Sequence, residues 1–312
     1  MASSRRLPTS YNLKTYGADG FDRDYTVLNT WESDTDNNLV TAAKGEVLEC
    51  YADAASFDDR IVMTGATTNS SYFRVIKPAT GNKHLGKPGS GVTFVSTTDL
   101  TIFAVTEGYA QIQDIIATVN ISSNNTRSAF SMSGANNGSA YIGCIAVNCL
   151  NSGTGTVYGF NLTPSSGYSI FVVNCLSHNN ESYGFYNSGS NVWLYNCTST
   201  NNLYGFHRNA GTIYAKNCCA SGNTTLDWSG TFTKTTCTAE DATPTYVDSG
   251  NDDFHLSSSD TVCKDNGTDL SSDGSYAFDD DVDSVTHSGT WDIGFDEYVL
   301  AIPIVMYYRE HC

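Results

Sequence analysis

The stretch NVWLYNCTSTNNLYGFHRNAGTIYAKNC, residues 191–218, carries Asn-Cys twice with one Tyr-Gly-Phe between the two pairs. Asn-Cys recurs at Asn148-Cys149, Asn174-Cys175, Asn196-Cys197 and Asn217-Cys218, with Asn120-Ile121 one step earlier and Thr236-Cys237 one step later. The steps are 28, 26, 22, 21 and 19 residues. A loose repeat of this length without helical periodicity points to a solenoid.

Two residues before each asparagine stand Ala146, Val172, Leu194 and Ala215, and four before stand Cys144, Ile170, Val192 and Ile213. Small or apolar residues at period two mark the buried face of a strand. The cysteine after each asparagine faces inward again, so the asparagine shifts the alternation, as a left-handed residue at a sharp corner does. Stacked asparagines can then hydrogen-bond along that corner. Cys149, Cys175, Cys197 and Cys218 are expected to form an internal ladder of small buried side chains. In-register neighbours do not offer disulfide geometry, and zinc needs convergent ligands rather than a line. Tyr-Gly-Phe repeats at 158–160, 183–185 and 204–206, which suggests a second corner at the glycine and a second inward stack at the phenylalanine. Room remains for one more short strand. The expectation is an all-β, three-sided parallel β-helix with coils roughly 4.8 Å apart.

Composition narrows the function. A formal charge of −17 argues against a nucleic-acid partner, which needs phosphates neutralised. The opening MASSRRLPTSYNLKTYG has no apolar run of the signal-peptide kind, and the apolar YVLAIPIVMYY (298–308) is too short to span a bilayer. We therefore expect synthesis in a host cytoplasm, no membrane partner, and ten cysteines kept as thiols.

The chain divides into a basic N-terminal arm (1–16), an N-terminal cap with entry strands (17–100), coils (101–237), an acidic C-terminal cap (238–297) and an apolar C-terminal arm (298–312). Fourteen Asp fall within 238–297, where a solvated acidic surface is expected. Here DDFHLSSSDTVCKDNGTDL followed by WDIGFDEY resembles the closing segment of right-handed parallel β-helix repeat proteins, the pectate-lyase-like superfold. YTVLNTWES with GNKHLGKPGSGVTF resembles their entry segment. The resemblance implies a right-handed helix with a cap at each end. This sequence departs from it at Thr261, Val262, Cys263 and Lys264, where the family has a Pro-Ala-Ile-Asp-like stretch, and at DVDSVTHSG near the end.

Many such folds cleave polysaccharides. Between Asp114 and Glu240, however, the only other carboxylates are Glu181 and Asp227, too sparse to converge across coils. Asp279, Asp281 and Asp283 alternate like calcium-loop ligands but lack the glycine and closing glutamate of an EF-hand. No catalytic residue, cofactor or metal ligand is therefore assigned. One column remains: Ile145, Phe171, Trp193 and Tyr214, three residues before each asparagine, should stack outside as an apolar stripe. It suits subunit packing, a covering loop or a glycan. The arms add Arg5 and Arg6 at one end and Ile302, Ile304, Met306 and Tyr307 at the other as docking candidates. Proteins of this description resemble phage virion components, commonly homotrimers. The sequence reading is a non-catalytic capsid decoration or cement protein that docks on the major capsid or another virion protein. The alternative is a tailspike-like enzyme that degrades or binds a host surface polysaccharide.

Overall fold

The structure, a computed structural model, describes residues 3–299. It is all-β apart from short helices, and its strands stack in three parallel sheets. The first sheet has nine strands, from Tyr11–Tyr16 through Gly45–Cys50, Arg74–Pro78, Gln111–Gln113, Ala140–Ile142, Ser169–Val173, Asn191–Tyr195 and Thr212–Lys216 to Thr233–Thr235. The second includes Thr93–Ser96, Ile116–Ile121, Ile145–Val147, Leu176–His178, Thr198–Thr200 and Cys219–Ser221. The third runs from Ile61–Met63 through Phe103–Val105, Arg127–Gly134, Val157–Pro164, Tyr183–Asn187 and Tyr204–Arg208 to Leu226–Ser229. In the downstream coils the chain visits first, second and third sheet in turn. The stack begins at Tyr11, so much of the expected N-terminal arm and entry region already belongs to it.

Between first and second sheets sits a single left-handed residue: Asp114, Gly143, Asn174, Asn196, Asn217 and Thr236, with φ between 47° and 61°. Asn, Asp and Gly tolerate this conformation best. The register corrects the repeat at its upstream end. Ile142 pairs with Val173, so Gly143-Cys144 stands in line with Asn174-Cys175. The cysteine ladder is therefore Cys144, Cys175, Cys197, Cys218 and Cys237. Its thiols donate to carbonyls of the neighbouring coil, such as Cys197 Sγ to Val172 O at 3.3 Å and Cys218 Sγ to Leu194 O at 3.3 Å. All nine described cysteines are free.

Asn148-Cys149 belongs instead to a second corner, shared by Asn148, Asn179 and Asn201 at φ 54°, 51° and 56°. Here an asparagine ladder forms inside the stack. Asn180 Oδ1 accepts the Cys149 N–H at 2.9 Å, Asn202 Oδ1 accepts that of Asn180 at 3.0 Å, and Asn223 Oδ1 accepts that of Asn202 at 2.9 Å. The glycines of Tyr-Gly-Phe are not corners. Gly159, Gly184 and Gly205 lie within strands, where a Cβ would stand 2.5–2.6 Å from Ser177 Oγ, Ser199 Oγ and Asn223 Nδ2. Close approach of the next coil requires glycine there.

The core stack is the phenylalanine column. Phe103, Phe130, Phe160, Phe185, Phe206 and Trp228 lie face to face with centroids 5.5, 4.9, 4.6, 4.9 and 4.5 Å apart. Each fully buried Phe contributes about 1.5–3 kcal/mol. Upstream, helix Leu28–Thr35 buries Leu28 and Trp31, and fully buried Arg74 bonds Glu32 and Glu107 beside it.

The C-terminal stretch, 238–299, has one antiparallel pair, Tyr246–Asp248 with Asp253–Leu256, and is otherwise mostly irregular. It lies along the first and second sheets. Ile145, expected outside, is fully buried because Phe254, Val282 and Phe295 from this stretch pack over Ile116, Ile145, Val147 and Leu176. The first-corner asparagines hold it rather than one another. Asn174 Nδ2 donates to Asp280 O at 2.6 Å and Asn217 Nδ2 to Thr268 O at 2.8 Å, while Asn196 Nδ2 faces His287 Nε2 at 3.3 Å. Nor is the stretch merely a solvated acidic surface, since Asp260, Asp280, Asp281, Asp292, Asp296 and Glu297 are all buried.

Candidate docking face

The structure places the sequence candidates in two groups. Phe171, Trp193 and Tyr214 do stack on the outer face of the first sheet, with centroids 6.4 and 4.1 Å apart. Their register partner upstream is Ala140, not Ile145. The face is partly roofed: Leu270, Tyr276, Phe278 and Trp291 pack against Ala140, Ile142, Val173 and Tyr195, and the Tyr276 ring lies 4.9 Å from Phe171. Lys216 pairs with Asp273 at the same edge. A covering loop, one of the three readings of the stripe, thus accounts for much of it.

Arg5 also turns inward, while Arg6 stays exposed against the C-terminal stretch. Arg5 grips Asp114 through two bonds of 2.7 Å and Asp280 through one of 2.9 Å, and the Arg6 guanidinium sits 3.9 Å above the Tyr276 ring. Burial alone would raise the Asp114 pKa, but Arg5 and Lys83 outweigh it and hold the carboxyl below its usual range. Arg5 is therefore committed to its own chain rather than offered to another. Ile302, Ile304, Met306 and Tyr307 lie outside the described residues. Glu181 sits near the second corner, where it accepts the Asn151 N–H, away from Asp114.

Between Arg6, Phe73, Tyr109, Gln111, Phe171 and Tyr276 a groove of about 530 Å³ opens on the first sheet. Its aromatic walls and guanidinium could stack on and bond a sugar.

A second aromatic surface, not expected from the sequence, lies on the third sheet. The tyrosine of each Tyr-Gly-Phe points outward while its phenylalanine points in, and the residue after the phenylalanine points outward too. Tyr158, Tyr183 and Tyr204 form one stacked column with centroids 5.2 Å apart at both steps. Beside it Tyr186 and His207 stack at 5.4 Å, and Tyr183 touches both, at 5.1 and 4.8 Å. All five rings are half-buried. Among the described residues they stack only on one another, and the four hydroxyls have no hydrogen-bond partner within the chain. Burial, with Tyr186 and Tyr183 nearby, pushes Tyr158 up to about 12, and burial lowers His207. The face is thus uncharged near neutral pH. Leu226, 41% exposed, extends the tyrosine column by one coil. Strict alternation would send the first and fourth letters of YGFNL, YGFYN and YGFHR to opposite faces; they share one here because the pairing skips Gly159, Gly184 and Gly205.

No protein-family model, no curated protein and no solved structure matches this chain. Among the described residues no helix is long and apolar enough to cross a membrane.

Proposed function

We propose that the chain is a right-handed, three-sided parallel β-helix, capped at both ends, that serves as a non-catalytic virion protein of the phage decoration or cement kind. In this reading it assembles as a homotrimer and docks on the major capsid or another virion protein. The observation that carries it is the third-sheet face: five uncharged, half-buried rings on a stiff parallel sheet, with no covering segment among the described residues. Contiguous aromatic patches of this kind mark interfaces, where Tyr is enriched and charge depleted. Fixed backbone and stacked rings leave little side-chain entropy to lose on docking. The virion setting rests on the resemblance of a capped β-helix with terminal arms, taken as a whole, to phage virion components; the terminal segments themselves resemble only the fold. Sedimentation velocity of the full chain is the test: a species of three times 33.6 kDa supports the reading, and a monomer across concentration removes the homotrimer.

The second reading, a tailspike-like protein that binds or degrades a host polysaccharide, is favoured by the first-sheet groove. It predicts glycan binding that Phe171→Ala or Tyr276→Ala abolishes. A glycan screen separates the two, because the third-sheet face is not needed for that binding.

A further inference from the structure

Two clusters of acidic and histidine side chains bring three ligand atoms within 4.8 Å of one another: Asp227, Glu240 and Asp241, and His255, Asp283 and Asp296. The first is occupied by hydrogen bonds. Glu240 accepts the N–H groups of Asp227 at 2.6 Å and Trp228 at 3.1 Å, and Asp227 accepts that of Asp241 at 3.0 Å and the Asn223 amide at 2.7 Å. It is a backbone clasp.

The second cluster is built differently. His255 Nδ1 is engaged by Asp253 Oδ1 at 2.6 Å, and Gly86, left-handed at φ +65°, packs so close to the ring that any Cβ would collide with it. The imidazole is thereby fixed with Nε2 aimed at Asp283 Oδ2, 3.2 Å away. A carboxylate on one ring nitrogen is the usual outer support of a metal-binding histidine, and a cation would replace the present hydrogen bond between Nε2 and Asp283. Asp283 Oδ1 is buried with no hydrogen-bond partner. Asp296 is 95% buried by its 5% exposure, and within the described residues it receives one hydrogen bond, from Leu256 N–H on Oδ2 at 2.7 Å. A buried carboxylate oxygen left without a donor, here Asp283 Oδ1, calls for a cation. Asp281, the next acid inward, is already used: its oxygens accept the Val285 and Glu297 N–H groups. The three candidate ligands line a cleft of about 270 Å³ that reaches the surface, so ions have a route in.

We propose that His255 Nε2, Asp283 and Asp296 hold one divalent transition-metal cation of the Zn²⁺ or Mn²⁺ kind, which braces the C-terminal stretch. An imidazole with two carboxylates suits these ions, whereas Ca²⁺ takes six to eight oxygens. The ligands come from three separate segments, the strand Asp253–Leu256 and the chain around 283 and 296, so binding ties an irregular region together. A cation bound only by the folded state raises stability by mass action.

The test is isothermal titration of chelator-stripped full-length protein with ZnCl₂, MnCl₂ and CaCl₂, repeated after alkylation of accessible thiols. Expected is one Zn²⁺ or Mn²⁺ per chain, insensitive to alkylation, with a higher melting temperature in the metal-loaded protein. His255→Ala and Asp283→Asn abolish binding, and Asp253→Asn, which removes only the orienting carboxylate, weakens it about 10–100-fold. Glu240→Gln leaves it unchanged. Each variant is checked for folding by circular dichroism; if His255→Ala does not fold, Asp283→Asn decides. Absence of Zn²⁺ and Mn²⁺ binding, binding of Ca²⁺ alone, or an affinity unchanged in Asp283→Asn overturns the proposal.

Discussion

The coil body and the C-terminal stretch solve the same problem by opposite means. In the body, parallel pairing satisfies the backbone and a column of phenylalanines fills the interior, and buried charge is concentrated in the paired Arg74, Glu32 and Glu107 at the upstream end. The C-terminal stretch has little pairing and uses buried carboxylates as acceptors for its irregular backbone. Asp260 alone receives the N–H groups of Thr245, Val262, Cys263 and Lys264, at 2.6, 3.2, 2.7 and 2.9 Å. Asp292 receives those of Asp265 and Tyr298 at 2.5 and 2.6 Å. The acidic composition of residues 238–297 is thus a way of satisfying backbone donors without a sheet.

That contrast can be broken at several points. Phe185→Ala removes the middle of the stack and is expected to cost about 3–5 kcal/mol, lowering the urea midpoint of the body. A loss under 1 kcal/mol would mean that the column is not what holds the coils.

The junction between the regions is tested by pH. His84 is fully buried and neutral, with Nε2 bonded to Gly143 O at 2.7 Å and Nδ1 accepting the Gly86 N–H at 3.2 Å. Burial, reinforced by Lys83 and Arg5 and opposed by Asp114 and the Gly143 carbonyl, lowers its pKa from 6.5 to about 4. The unfolded chain therefore takes up this proton first as pH falls. The stability His84 contributes is full above pH 6.5 and is lost progressively toward pH 4, by about 3 kcal/mol. Asp292, raised by burial to about 6, acts with the opposite sign, because the folded state gains its proton first. The readout is consequently the gap between wild type and His84→Asn, which is expected to narrow between pH 6.5 and 4. A gap independent of pH would contradict the assignment.

Asp260→Ala is expected to cost about 1.5–3 kcal/mol and to speed amide exchange from Thr245 to Lys264 while that of Phe160 and Phe185 stays slow. Uniform acceleration would show that the two regions are one cooperative unit. The smallest effect falls at the contact between them: Asn196→Gly keeps the left-handed corner, loses the bond to His287 and costs about 1 kcal/mol, whereas Asn196→Ala adds about 1–2 kcal/mol of backbone cost. Equal losses for the two would remove the conformational role of the corner.

The same contrast explains what could be read from sequence. The parallel, stacked all-β class was legible because Asn-Cys and Tyr-Gly-Phe repeat with period-two apolar flanks. Register was less so: Gly143 and Asn148 both suit a left-handed corner, and only strand pairing shows which one stands in line with Asn174. The C-terminal stretch has no period, so nothing in its sequence reveals that Tyr276 covers Phe171 or that Phe254 buries Ile145. The third-sheet face was not legible, because strict alternation sends the first and fourth letters of each Tyr-Gly-Phe-X to opposite faces and only the strand pairing shows the glycine skipped.

The most direct measurement is light scattering of the full chain beside a Tyr183→Ser, Tyr204→Ser double variant. Wild type is expected at three times its 33.6 kDa chain mass and a folded variant at one chain mass, with Phe171→Ala still trimeric. A trimer that survives the double substitution, or a wild-type monomer, would contradict the assignment of the third-sheet face as the docking surface.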